Sequence, residues 1–236
     1  MSVPGRRAFS LIDVLVSMAV IALLIALLLP SLGPVKESAR QVVCRSGIRQ
    51  IGLGIAMYAD DHRDMIPSSV WIKSTPTQPG ETIRLRFFGA VGPGEKGWVW
   101  DSLGALYIAQ YLEAPNIFYC PSHSGQHRFG DYAEAWRSGQ GDITGNYQYR
   151  GKGFNGAVHL GLIEPRRSAL VSDGLRSRTD YSHGVGANVL RADLSVYWYN
   201  DRAGTISSKL ADTEGGPIPM QPGVFNDIWK LFDDAR

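Results

Sequence analysis

The chain has 236 residues, is 44% hydrophobic and 19% charged, and carries 24 Lys+Arg against 22 Asp+Glu. That composition suffices for one folded body and excludes a disordered tail protein or a disulfide-packed miniature. Arg6 and Arg7 alone account for the formal excess of +2, so the rest of the chain offers no basic field for nucleic acid.

From Val14 to Leu29 the sequence reads VLVSMAVIALLIALLL, interrupted only by Ser17, and extension through Phe9 and Leu32 gives a stretch of membrane-spanning length. A cleaved secretory signal, a buried core helix and a retained membrane anchor compete for it. A domain of this size seldom buries a helix that is apolar on every side. A secretory signal has a shorter apolar region, about 7–15 residues, and ends at a small-x-small site. Here Pro30-Ser31-Leu32-Gly33-Pro34 follows instead. The anchor is therefore the preferred reading, with Arg6 and Arg7 cytoplasmic and everything after Pro34 outside.

Asp13 lies within the apolar stretch, where an unpaired carboxylate costs about 2.5–3.5 kcal/mol on insertion scales. Cutting between Ala8 and Phe9 creates an α-amine four residues before Asp13, one helical turn away. The two charges can then neutralise each other, within one subunit or between neighbours. The alternative is an Asp13 that sits at the headgroups and stays hydrated.

The run Arg6-Arg7-Ala8-Phe9-Ser10-Leu11-Ile12-Asp13 resembles the type IV prepilin and pseudopilin signature of a basic leader, a small residue, Phe and an acid. Pro30 falls at the twenty-second position of the mature chain, where pilins commonly carry a helix-kinking proline. Ala8 stands where Gly is usual, and Asp13 where Glu is usual. The resemblance implies cleavage after Ala8 by a prepilin peptidase, methylation of Phe9 and subunit registration through Asp13. It also implies assembly with other pseudopilins on an inner-membrane secretion platform. The protein would be a single-pass inner-membrane subunit with a cytoplasmic N-terminus and a periplasmic globular domain.

Apolar residues recur at Leu32, Val35, Ala39 and Val42, and again at Ile48, Ile51, Ile55 and Tyr58, with the spacing of one helical face. The helix is expected to run to about Asp60. Gly47, Gly52 and Gly54 each weaken it by about 1 kcal/mol relative to Ala, so its distal half must be held against a domain. Cys44 to Leu53, followed by Tyr58, Asp61 and Pro67, resembles a narrower bacterial group that joins a prepilin-type N-terminus to a processing-associated H-X9-DG element.

Beyond Pro67, short apolar or aromatic runs alternate with Gly, Pro, Asn and Asp clusters, and 27 Gly and 13 Pro are spread along the chain. This predicts an α+β, loop-rich body of mainly antiparallel strands, among them 168–172, 187–191 and 195–199. Trp98, Trp100, Leu103, Leu106, Tyr107, Tyr111 and Leu112 suggest a buried loop and short helix. Segments 76–94 and 212–223 are expected to be exposed loops, and 225–232 a small docked helix. The predicted organisation is a leader at 1–8, a transmembrane helix at 9–32, an amphipathic stalk at 33–60 and a globular domain at 61–236, a pilin-like plan.

His183 and Asp193 reproduce the ends of the H-X9-DG element. Physically the stretch is a hairpin in which Asp193 begins a tight turn. Leu194 stands in the family's Gly position and is strained if that turn requires a positive φ. His183 is expected to fix a turn by bonding a carboxylate or the backbone. A ligand contact, or half of a catalytic triad with neighbouring Ser182, are the alternatives.

Cys120 lies in Phe118-Tyr119-Cys120-Pro121, similar to the group's F-x-C-P element. In an oxidising compartment a Cys44–Cys120 bridge is the leading expectation. Cys120, His123 and His127 also have metal-ligand spacing and with Cys44 would make a Cys2His2 zinc set. Asp212, Glu214 and Asp227 could offer oxygens to calcium, though in no recognised loop spacing. Gly52-x-Gly54, Gly151-x-Gly153 and Gly184-x-Gly186 lack the strand-to-helix context of a nucleotide site.

The sequence thus predicts a structural pseudopilin-like subunit with no catalytic residues and no resident cofactor. The runner-up is a membrane-anchored binding module for glycans or secreted proteins, using Trp71, Trp98, Trp100 and Trp136. An exposed coplanar pair of these would favour it.

Overall fold

The structure is a computed structural model that describes residues 11–29, 32–73, 79–212 and 222–235. Ala8, Phe9, Pro30 and Glu214 lie outside the described residues. The chain divides into two compact units, Met1–Ala39 and Arg40–Arg236.

In the first unit, α1 spans Leu11–Leu28. Leu, Val, Ile and Ala are compatible with a helix, and the one hydroxyl near its middle, Ser17 Oγ, donates to the Val14 carbonyl at 2.9 Å. The helix has no polar face. Leu11, Ile12, Leu15, Met18, Leu23 and Leu27 are each more than 60% exposed. Among the described residues no helix is long and apolar enough to cross a membrane. The 18 residues of α1 reach about 27 Å at 1.5 Å each, against about 30 Å of hydrocarbon. The predicted span of 9–32 continues beyond α1 at both ends.

The second helix, α2, spans Leu32–Asp61. Its early apolar positions are uncovered, with Val35 62% and Val42 67% exposed. From Cys44 onward the picture reverses: Cys44, Ile48, Ile51, Ile55 and Ala59 are buried at three- and four-residue spacing, so the amphipathic face meets a core. The glycines serve this contact. A Cβ on Gly52 would stand 2.8 Å from Leu190 Cδ1, and one on Gly54 3.1 Å from Leu112 Cγ.

The second unit continues with α3 (Val70–Lys73), β1 (Arg84–Gly92), β2 (Glu95–Trp100), α4 (Gly104–Ile108), α5 (Ala133–Ser138), β3 (Ile143–Thr144) and β4 (Tyr147–Tyr149). It ends with β5 (Ala169–Asp173), β6 (Gly186–Arg191), β7 (Val196–Asn200) and α6 (Pro222–Asp234). Two antiparallel sheets result, ordered β2-β1-β3 and β4-β5-β6-β7. The protein is therefore α+β, with antiparallel sheets and an N-terminal helix.

Alternation along β6 divides the second sheet between two cores. Ala187 and Val189 join Phe225, Ile228, Trp229 and Phe232 of α6. Leu190 joins Ile48, Ile51 and Ile55 of α2. Period-two side-chain direction thus puts α2 on one face and α6 on the other.

The segment 76–94, expected to be an exposed loop, instead contains β1, on which Leu85 and Arg86 are 1% and 2% exposed. Arg86 made the strand look solvated. Its guanidinium carbon lies 5.4 Å from the Trp98 ring and 5.0 Å from that of Trp100, while Nε and Nη2 donate to the Gly141 and Ala135 carbonyls at 2.9 and 2.8 Å. An arginine that donates to two carbonyls and lies against two indole rings can be buried. Trp98 and Trp100 lie on β2 rather than in a loop, paired with Phe88 and Arg86 of β1. The second expected loop, 212–223, is described only at Asp212 and from Pro222, where α6 begins.

The β6–β7 turn carries the strain that its sequence implied. Leu194 has φ 64°; its N–H bonds to the Arg191 carbonyl at 3.0 Å and Arg191 N–H to the Ser195 carbonyl at 2.9 Å. A non-glycine residue in this region costs roughly 1–2 kcal/mol. Leu194→Gly should therefore stabilise the chain by about 1 kcal/mol, measured as a higher urea midpoint with an unchanged slope; a lower midpoint would count against a strained turn.

Burial also sets an alkaline limit. Desolvation pushes the phenols of Tyr147 and Tyr149 well above the ordinary value of 10.0, and those of Tyr119, Tyr181 and Tyr197 upward as well. The folded state then holds protons that the unfolded chain releases near pH 10. Stability is fully present below pH 10 and falls as pH rises above it. In detergent, phenolate absorbance should lag behind free tyrosine and then rise together with loss of near-ultraviolet dichroism. Complete tyrosine ionisation near pH 10 with dichroism intact would contradict this.

Candidate functional site

Four segments meet where the distal half of α2 crosses the second sheet. Cys44 comes from α2, and Cys120 follows the Pro115–Phe118 turn. Asp173 is the last residue of β5, and His183 lies in the loop before β6. Cys44 and Cys120 form a disulfide with a Cα–Cα distance of 5.2 Å. His183 and Asp173 side chains are 0% exposed, with His183 Nε2 3.5 Å from Asp173 Oδ2. Sulfur, imidazole and carboxylate are thus buried together.

The surroundings hold these groups in place. Asp173 Oδ2 accepts from the Asn188 backbone N–H at 2.6 Å and from Asn188 Nδ2 at 3.2 Å. Asn146 Oδ1 accepts from the Cys120 N–H at 3.2 Å, and Asn146 Nδ2 donates to the His127 carbonyl. The His183 ring stands edge-on to Trp198 at 5.4 Å. Gly186 makes room for that indole: a Cβ there would lie 2.4 Å from Trp198 Cζ2 and 2.3 Å from the Tyr199 carbonyl oxygen.

Three polar groups gather about one ring atom of His183. Nε2 is 3.6 Å from Cys120 Sγ, 3.5 Å from Asp173 Oδ2 and 3.4 Å from Asn188 Nδ2. In a nucleophile–base relay the carboxylate and the nucleophile stand on opposite ring nitrogens; Cys120 and Asp173 stand on the same one. Ser182 turns elsewhere, its Oγ 3.2 Å from the Asp180 carbonyl and 3.5 Å from His123 Nδ1.

The two ends of the H-X9-DG element separate. His183 goes to Asp173, whereas Asp193 Oδ1 accepts from Ser195 N–H at 2.9 Å and Ser195 Oγ at 2.5 Å within its own turn. The zinc set drawn from sequence spacing is not assembled either. His123 Nε2 lies 3.8 Å from Asp180 Oδ1, and His127 bonds to Tyr132 Oη at 2.5 Å and Arg176 Nη1 at 2.6 Å. The calcium oxygens are used separately, Asp212 pairing with Arg178 at 2.6 Å and Asp227 lying exposed on α6.

In the sequence Asp173 opens an Asp-Gly pair and nothing more, and neither Asn146 nor Asn188 falls in a motif. One signal was present. An acid closing the run Ala169-Leu170-Val171-Ser172 ends a buried strand inside the core, where a carboxylate needs partners.

Asp13 lies in the first turn of α1, the end at which the helix dipole favours negative charge. The four tryptophans expected of a binding surface are half-buried. Trp100 and Trp136 are 5.7 Å apart but tilted by 41°, and Trp71 packs on Phe87, so no exposed coplanar tryptophan pair occurs among the described residues. Comparison with known protein families, curated proteins and solved structures finds no match to this chain.

Proposed function

We propose that the protein is a structural, pseudopilin-like subunit of a type II secretion or type IV pilus-like assembly. It is inserted with its N-terminus in the cytoplasm, cut after Ala8 by a prepilin peptidase and methylated on Phe9. Its apolar helix packs among those of neighbouring pseudopilins on an inner-membrane platform, with the folded body in the periplasm.

The observation that carries this reading is α1. It exposes large apolar side chains all round its circumference and has Asp13 as its sole charged residue. Such a surface needs lipid and other helices around it. Val35 and Val42, at the start of α2, are uncovered as well. With the mature N-terminus at Phe9, Asp13 sits one turn from an α-amine, and a neighbour's amine can answer it. The helix supplies cohesion and the charge pair sets axial register.

Asp13→Ala should reach the membrane in normal amount but lose crosslinking between helices of different subunits, while Asp13→Glu keeps it. Undiminished crosslinking of Asp13→Ala would remove the registration role.

A further inference from the structure

We propose that Cys44, Cys120, Asp173 and His183 form a closed zinc site when the cysteines are reduced, mutually exclusive with the disulfide. One donor atom from each residue lies within 4.8 Å of the other three, and all four residues are buried. Two sulfurs, an imidazole nitrogen and a carboxylate oxygen are a donor set that zinc takes in tetrahedral geometry. Tetrahedral bonds of about 2.0–2.3 Å put donors roughly 3.3–3.8 Å apart. His183 Nε2 already stands 3.6 Å from Cys120 Sγ and 3.5 Å from Asp173 Oδ2. Both separations fall in that range, as they do for atoms bound to one ion.

The supporting shell fits the same role. Asn188 fixes the Asp173 carboxylate with two hydrogen bonds, and Asn146 fixes the Cys120 backbone. Such contacts orient ligands and raise affinity. Hard cations are a poorer fit, because half of the donors are sulfur.

Conversion between the two states balances as follows. A dithiol reductant gives two electrons and two protons to the Cys44–Cys120 bond, yielding two thiols and leaving the reductant as a disulfide. Zinc then binds both sulfurs as thiolates and releases two protons. Neutral His183 and ionised Asp173 complete the set, leaving a local charge of −1. A cleft of about 430 Å³, lined by Val43, Cys120, His123, Phe129 and Asn146 among others, opens on the Cys120 side and gives a reductant its approach.

The test uses the full chain in detergent, reduced by a phosphine, exposed to zinc chloride alone and desalted. Metal analysis should find one zinc per reduced chain and none per oxidised chain. Cobalt in place of zinc should give the intense visible bands and thiolate charge-transfer absorption of a tetrahedral two-sulfur site. Since loss of a supporting contact typically lowers affinity about 10–100-fold, His183→Ala and Asp173→Asn should weaken zinc binding by at least about 100-fold, and the double variant His123→Ala/His127→Ala should bind like the parent. If reduction loosens the fold, zinc should restore the native dichroism. A reduced chain that takes up no zinc, an octahedral cobalt spectrum, equal affinity after His183→Ala, or a loosened chain that zinc fails to refold would each overturn the site.

Discussion

In metal-free buffer, Cys120→Ser should cost the full-length chain about 4 kcal/mol of stability. The bridge joins residues 76 apart, and closing a loop of that length removes about 4 kcal/mol of chain entropy from the unfolded state. The site adds to the reason for the loss. Cys44 and Cys120 are 0% and 4% exposed at the seam between α2 and the sheet core. A serine there must bury a hydroxyl in the apolar core that includes Ile48, Phe118 and Tyr147. Urea unfolding of parent and variant, both without reductant, reads the difference as a lower midpoint. A change below about 1 kcal/mol would mean that α2 is held by packing alone.

Asp233→Ala should be nearly as damaging, by about 3–5 kcal/mol. Arg150 Nη1 reaches Asp233 Oδ1 and Oδ2 at 2.8 and 2.9 Å, and Oδ1 also accepts from Ala169 N–H at 2.9 Å. Their side chains are 8% and 1% exposed. The guanidinium lies 5.6 Å from the Trp229 ring, so the pair fastens α6 to β5. Removing the carboxylate leaves a buried cation and a backbone N–H without their acceptor.

Burial pushes the Asp233 carboxyl above its ordinary value, while the Ala169 N–H and Arg150 pull against that rise. Replacing both partners, as in Arg150→Met with Asp233→Leu, should therefore recover most of the loss. If the double variant is as unstable as Asp233→Ala, the ion pair stabilises the fold in its own right.

Periodicity made several elements legible. The three- and four-residue spacing of Ile48, Ile51 and Ile55 marks the buried face of α2, and the alternation through Val189 and Val196 marks the hairpin of β6 and β7. Leu194 was recognisable because a turn that wants glycine contains a β-carbon instead. β1 was hidden because Arg84 and Arg86 mimic a solvated segment, and the rings that shield Arg86 belong to residues twelve and fourteen positions later.

The buried cluster was hidden for a different reason. Its members lie on four segments, and no local spacing connects Cys44 with Asp173. The short spacing that did look like a metal motif, Cys120 with His123 and His127, is spent on other contacts: His123 faces Asp180 at 3.8 Å, and His127 hydrogen-bonds to Tyr132 and Arg176. Proximity along the chain is a poor guide where a cluster is assembled from separate segments. His183 Nε2 lies 3.5 Å from the Asp173 carboxylate, whereas Asp193, toward the other end of the motif, bonds within its own turn.

N-terminal sequencing of the protein isolated from native membranes tests the central claim most directly. A mature chain beginning at Phe9, with α1 retained, is the expected result. Protein recovered outside the cell and beginning after Gly33 would contradict it.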